Sequence, residues 1–259
     1  MESCLAVFDT ETTSAQPSTC GVVQCALLIN RLQEDGTLQE DFVINELCDP
    51  SMEISDGAAE VHGITPEMIQ GARFDHDVMF DAYMYLVERQ DHMILVGHNL
   101  RPFDRPILVR LAHFAAHQRG ITLPPLTIRF IDTLVIARRV LHMVPGGHKL
   151  GELIEWITQQ PVVDAHDAVG DCRSVLTILA YFCGAMEMTI DQLADYCAQT
   201  RVLKICTYKK HKGKLWGRGD YKTHVPSNYA MWMANNFEGA DPDLKETLRH
   251  HYGLRFKKM

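Results

Sequence analysis

Apolar positions along the chain follow two rhythms. Leu5-Ala6-Val7-Phe8, the long run within Gly21–Asn30, Met93–Val96 and Ile128–Ile131 are short, near-continuous apolar stretches. Such runs predict strands covered on both faces. Leu38–Leu47 follows Glu34-Asp35-Gly36-Thr37, whose Asp-Gly pair predicts a hairpin turn, so three strands in a meander would open the sheet. Helical spacing takes over elsewhere. It runs through Asp75–Gln90 (Val78, Ala82, Leu86), through a helix opened by Pro102 (Phe103, Ile107, Leu111, Phe114, Ala115), and through Leu134–Leu141 behind the capping pair Asp132-Thr133. Leu150–Ile157 and a long apolar run containing Val175, Leu176, Ile178, Leu179 and Phe182 complete the set. Thr65-Pro66 reads as one more helix start, and Trp156 as a core side chain. Strands first and alternating elements later predict an α/β sheet flanked by helices.

Composition narrows the class. At 259 residues and 46% hydrophobic, the chain can bury a full core, and no window reaches the ~20 unbroken apolar residues of a membrane span. The first strand begins within four residues of the start, which leaves no room for a signal peptide. Eight scattered cysteines contain no C-x-x-C pair and read as reduced, buried thiols. A cytoplasmic chain without membrane contact is the expectation. Charge then divides it. Residues 1–200 carry 12 Lys+Arg against 28 Asp+Glu, whereas residues 201–259 carry 13 against 5. A basic tail on an acidic body points to a polyanionic partner.

The chemistry-bearing residues fall at element boundaries. Phe8-Asp9-Thr10-Glu11-Thr12 closes the first strand, and alternation puts Asp9 and Glu11 on one face. Like charges so close call for a cation between them, and magnesium or manganese suits oxygen ligands. Asp104 stands in the first turn of a helix after a strand, behind Gly97-His98-Asn99. His166 and Asp171 flank the start of the long helix. Asp132 is explained by capping, Asp167 by a helix-start charge, and the i, i+4 pair His113 and His117 by a solvated helix face. Four carboxylates and a histidine are the parts of two-metal phosphodiester hydrolysis, in which a histidine can serve as base.

In these motifs the chain resembles the DnaQ-like 3′–5′ exonucleases of the DEDDh subgroup. The likeness rests on Phe8-Asp9-Thr10-Glu11-Thr12, Val61-His62-Gly63-Ile64-Thr65, Gly97-His98-Asn99 with Phe103-Asp104, and His166-x-Ala168-x-x-Asp171, and covers about residues 4–185. It implies an RNase H-like mixed five-stranded sheet flanked by helices. It also implies Asp9, Glu11, Asp104 and Asp171 as ligands of two Mg2+ ions, with Mn2+ substituting, and His166 as general base. Thr10 would contact the terminal nucleotide through its backbone; Thr12, His98 and Asn99 would line the substrate site. Gln24 stands where many relatives carry Glu, outside the catalytic set.

The expected division is an exonuclease domain over 1–190 and a small basic C-terminal module over 191–259, with Lys210 and Lys212 on substrate. Within that module Tyr208 and Trp216 are the candidates for base stacking, while Tyr229, Trp232, Met233 and Phe237 have helical spacing and read as its core. The expected function is 3′–5′ hydrolysis of DNA, at single-stranded or duplex 3′ ends, to 5′-mononucleotides. RNA as substrate and a polymerase-associated proofreading subunit are the alternatives. A D-x-D phosphatase is disfavoured because position 11 is Glu.

Overall fold

In the computed structural model, residues 4–33, 37–142, 144–160, 167–236 and 242–254 are described. Six strands form one mixed sheet in the order β4-β3-β2-β1-β5-β6. These are β1 (Cys4–Thr12), β2 (Val22–Leu32), β3 (Leu38–Asp49), β4 (Arg73–Phe74), β5 (Met93–Gly97) and β6 (Arg129–Asp132). β1, β2 and β3 are the antiparallel meander, and β5 and β6 join in parallel. One strand more than expected is present: Arg73-Phe74 pairs with Cys48-Asp49 at the edge. Two residues carry no alternation that a sequence pattern can reveal. The Glu34–Gly36 turn lies outside the described residues.

Strand alternation sorts β1 between two cores. Leu5 and Val7 face α6 (Ala168–Met186), with α4 (Thr133–Val140), α5 (Leu150–Thr158) and α7 (Ile190–Ala198) around it. Ala6 and Phe8 face α2 (Asp75–Arg89) and α3 (Asp104–Gln118). Among the described residues α6 alone is long and apolar enough to cross a membrane, but Val175, Ile178, Leu179 and Phe182 bury one of its faces against the sheet. Trp156 is partly buried against this same core, edge-on to Tyr181.

The helix expected at Pro66 is absent. A short helix, α1 (Asp56–His62), precedes it, capped by Ser55 and ended by Gly63 at φ 68°, and Pro66 opens a tight turn. All eight thiols are free, six of them buried. Beyond α7, Leu203, Cys206, Trp216, Val225, Met233, Leu244 and Leu248 form a small separate core with α8 (Ser227–Asn236) and α9 (Pro242–Tyr252). Arg139 of α4 fastens α9 to the body, donating to both carboxylate oxygens of Asp243 at 2.5 and 2.9 Å and to the carbonyls of Tyr196 and Gln199.

Candidate active site

The alternation that sends Leu5 and Val7 toward α6 continues to Asp9 and Glu11. Asp171 lies in the first turn of that helix. One carboxylate oxygen from each of Asp9, Glu11 and Asp171 falls within 4.8 Å of the other two, and no other such His/Cys/Asp/Glu group occurs among the described residues. The opposite face of β1 carries Thr10, whose hydroxyl donates to Asp104 Oδ1 at 2.7 Å. Asp104 opens α3 and is buried, so the fourth acid approaches from the other side of the sheet. It stands close enough to raise the pKa of both Asp9 and Glu11.

The cluster is electrostatically strained. Burial, then the charges of Asp171 and Asp104, push Glu11 from its ordinary 4.5 up to about 8. Burial together with Asp104, Asp171 and Glu11 raises Asp9 well above the carboxylate range. Asp104 rises to about 7 through burial, against the opposing pull of the Thr10 hydroxyl. Carboxylates so placed hold protons or a cation. An all-oxygen donor set suits hard divalent ions, so these residues fit the Mg2+ or Mn2+ inferred from the sequence.

Supporting residues hold the cluster's walls. Gln24 is paired with Glu11 across β1 and β2. Its amide donates to Asp167 Oδ1 at 2.9 Å and Asn45 Oδ1 at 2.8 Å, and its carbonyl oxygen accepts from Ala168 N at 3.3 Å. Asp167 caps α6 through Gly170 N, so one side chain pins the helix start that delivers Asp171. Sequence reasoning left Gln24 outside the site. The available signal was a lone amide inside the apolar run Val22-Val23-Gln24-Cys25-Ala26.

Asp132, wholly buried, accepts from the backbone N–H groups of Asn99, Arg101 and Leu134, which is the capping role expected of it. That grip holds Asn99 at φ 67°. A Cβ on Gly97 would come within 3.0 Å of Phe8 O, so β5 needs glycine where it passes the acid-bearing strand.

The remaining predicted residues spread outward. His98 bonds Thr133 Oγ1 at 2.9 Å through Nδ1 and donates to the His148 carbonyl at 2.8 Å through Nε2; burial lowers its pKa to about 4 and keeps it neutral. His98 and Asn99 line a cavity of about 330 Å³ with Arg138, His148, Lys149 and Thr207. Thr12 Oγ1 donates to Ser14 O at 2.9 Å. Lys210 is exposed, and Lys212 donates to Val144 O at 2.6 Å. His166 and Phe237 lie outside the described residues. His113 and His117 are both exposed on α3.

Two aromatic assignments reverse. Trp216 is 4% exposed in the small C-terminal core, with Tyr208 edge-on to it at 6.4 Å, whereas Trp232 is 50% exposed and stacks on Tyr229 at 5.6 Å.

Comparison with known proteins bears on the same region. The RNase_T exonuclease profile matches residues 6–179. Exodeoxyribonuclease 10 of Escherichia coli K12 is 24% identical over 253 residues, covering 95% of this chain and 98% of that protein. The 3′-5′ exonuclease crn-4 of Caenorhabditis elegans is 24% identical, over 83% of this chain and 75% of its own length. Among solved structures, Exonuclease X in complex with 5′ overhanging duplex DNA superposes with a TM-score of 0.50 at 23% identity, over 74% of this chain and 98% of that one. E. coli Exonuclease I in complex with a dT13 oligonucleotide gives a TM-score of 0.58 at 17% identity. That match covers 76% of this chain but only 43% of Exonuclease I. Because this profile spans the sheet and all four acids, Asp9, Glu11, Asp104 and Asp171, the chain belongs to the RNase_T exonuclease family.

Proposed function

We propose that the protein is a 3′–5′ exonuclease that degrades DNA to 5′-mononucleotides with two divalent cations, Mg2+ or substituting Mn2+, on Asp9, Glu11, Asp104 and Asp171. The observation that carries this reading is the meeting of Asp9, Glu11 and Asp171, from two elements far apart in sequence, within 4.8 Å. When bound, the ions would lower the pKa of an attacking water and stabilise charge on the attacking and leaving oxygens. The protein's own groups then hold and aim. Thr10 holds Asp104 in place with its hydroxyl and, through its backbone, faces the terminal nucleotide. Gln24 and Asp167 hold the helix start beneath Asp171. His166, the residue before Asp167, is the proton acceptor for the attacking water on its imidazole ring.

Thr12, His98 and Asn99 support the strand end and the substrate-side wall, His98 as a neutral donor that anchors the His148 carbonyl. The hydrolytic domain extends through α7, whose Leu193, Ala194 and Cys197 join its core, and the basic module follows within 191–259, with Lys210 and Lys212 toward phosphate. Support for DNA comes from relatives named as an exodeoxyribonuclease and from a fold neighbour seen with duplex DNA. Eight unpaired thiols fit the cytoplasm.

A time course on end-labelled single- and double-stranded DNA and on RNA, with magnesium, manganese or chelator, tests the proposal. Stepwise shortening from the 3′ end of DNA, silent in chelator, is expected. Faster shortening of RNA would move the substrate to the alternative, because discrimination rests on contacts to the 2′-OH.

A further inference from the structure

The chain leaves β1 at Thr12, one residue past Glu11, and enters β2 at Val22 through residues 13–21. This loop therefore stands at the strand end that carries the clustered acids. Its base is closed by Thr13, whose N–H donates to Gly21 O at 3.0 Å and whose hydroxyl accepts from Gly21 N at 3.0 Å. The Ser55 hydroxyl adds a bond to Thr13 O at 2.8 Å. Beyond that base the loop has no core of its own. Ala15, Gln16, Ser18 and Thr19 are exposed, and of residues 14–20 only Cys20 is buried.

What fixes the tip comes from another element. Arg110 of α3 donates through Nε to Pro17 O at 3.2 Å and through Nη2 to Cys20 O. One planar guanidinium thus spans the turn in which Thr19 N and Cys20 N donate to Gln16 O, at 3.1 and 2.9 Å. The same helix begins with Asp104, so the loop is braced against the element that delivers the fourth acid. The loop end also feels that acid. Burial raises the pKa of the Cys20 thiol, Arg110 lowers it, and the Asp104 charge raises it again. Arg110 belongs to neither large apolar core; with Phe74, His76 and Phe114 it lines a groove of about 840 Å³.

We infer that Arg110 is a positioning residue for hydrolysis: it keeps the exposed tip, residues 15–19, ordered beside Asp9, Glu11 and Asp104 as a preset wall for the end of the strand being cut. The inference rests on the nuclease reading. Arg110 acts through the loop's backbone carbonyls, not through its charge on the acids. A tip held in place beforehand need not be ordered when substrate binds, and that difference appears as affinity. Because such a wall meets substrate and transition state alike, its loosening raises KM and leaves kcat. Lysine keeps the positive charge but lacks the planar fork that bridges two carbonyls, so it separates bracing from electrostatics.

Two measurements on the full-length protein test it. Hydrogen exchange in EDTA reads the loop without turnover. In Arg110→Lys and Arg110→Ala the amides of Thr19 and Cys20 should exchange at least about tenfold faster, while unchanged β1 amides report that both variants are folded. Steady-state hydrolysis of oligothymidylate in magnesium should show KM raised on the order of tenfold in both variants, with kcat within about twofold of wild type. Wild-type exchange at Thr19 and Cys20, wild-type KM in Arg110→Lys, or a fall in kcat at constant KM overturns the inference, while turnover by the wild type leaves the nuclease reading intact. A wild-type protein that hydrolyses no oligonucleotide overturns the nuclease reading and with it the role of Arg110, whatever the exchange shows.

Discussion

Replacing Glu11 by Gln should stabilise the metal-free protein while abolishing its activity. In the folded chain the Glu11 carboxyl titrates near 8 against an ordinary 4.5, so the native state binds this proton more tightly than the unfolded state does. Stability therefore falls as pH rises through that window: the penalty is absent well below 4.5 and complete above 8. Each tenfold difference in proton affinity between the two states is worth about 1.4 kcal/mol, which makes the penalty about 3 kcal/mol at pH 7 and under about 1 kcal/mol at pH 5. An amide of the same shape carries no charge and escapes it. For a chain of this size ~1 kcal/mol moves the melting temperature by about 2 °C or slightly more, so Glu11→Gln should melt roughly 6–9 °C higher at pH 7 in EDTA. At pH 5 the gain should shrink to about 2 °C or less. Saturating Mg2+ should narrow the gap from the other side by stabilising the wild type more than the variant. Scanning calorimetry at both pH values, with and without metal, reads all of this. A variant that melts lower than wild type at pH 7 in EDTA, or gains equally at both pH values, would refute the reasoning.

Further expectations concern groups around the acids and the join to the C-terminal segment. Thr10→Val removes the hydroxyl that lowers the Asp104 pKa, so the acidic limb of the pH–rate profile should move to higher pH, with roughly 1 kcal/mol of stability lost; an unmoved limb would contradict the pairing. Gln24→Leu leaves Asp167 and Ala168 without their tie to β2 and should lower kcat more than it raises KM, with about 1–3 kcal/mol lost in denaturant unfolding. Arg139→Ala takes the guanidinium away from the buried Asp243 carboxylate and should cost about 3–5 kcal/mol, with new proteolytic cleavage near residues 199–203. Adding Mn2+ to chelated protein should release protons near pH 7, because Glu11 and Asp104 titrate there; calorimetry in buffers of different ionisation enthalpy reads the number.

The sheet was legible where strands are long and doubly covered. β1, β2 and β5 are buried almost throughout, and an apolar run reports that directly. β4 was not legible, because two exposed residues leave no period to read. Nor was α1, which is seven residues long with none buried and so has no apolar stripe. At the site, alternation along β1 correctly put Asp9 and Glu11 on one face, and the structure adds that this is the α6 face. What the sequence could not supply is which polar side chains bridge between elements. Gln24 reaches Asp167 across 143 positions, a contact that only the folded sheet creates. The two tryptophans show the same limit from the apolar side. Helical spacing made Trp232 resemble core, yet on α8 only Ala230 and Met233 are buried, and the room went to Trp216 from an irregular segment.

The central claim, that Asp9, Glu11, Asp104 and Asp171 act together as the hydrolytic centre, is tested most directly by turnover of Asp171→Asn on 3′-labelled single-stranded DNA in magnesium. The substitution should leave the melting temperature in EDTA equal to or above that of the wild type. Release of labelled mononucleotide should fall at least about 10³-fold, the loss expected when several kcal/mol of transition-state charge stabilisation disappears. A folded Asp171→Asn protein that releases mononucleotide within tenfold of the wild-type rate would contradict it.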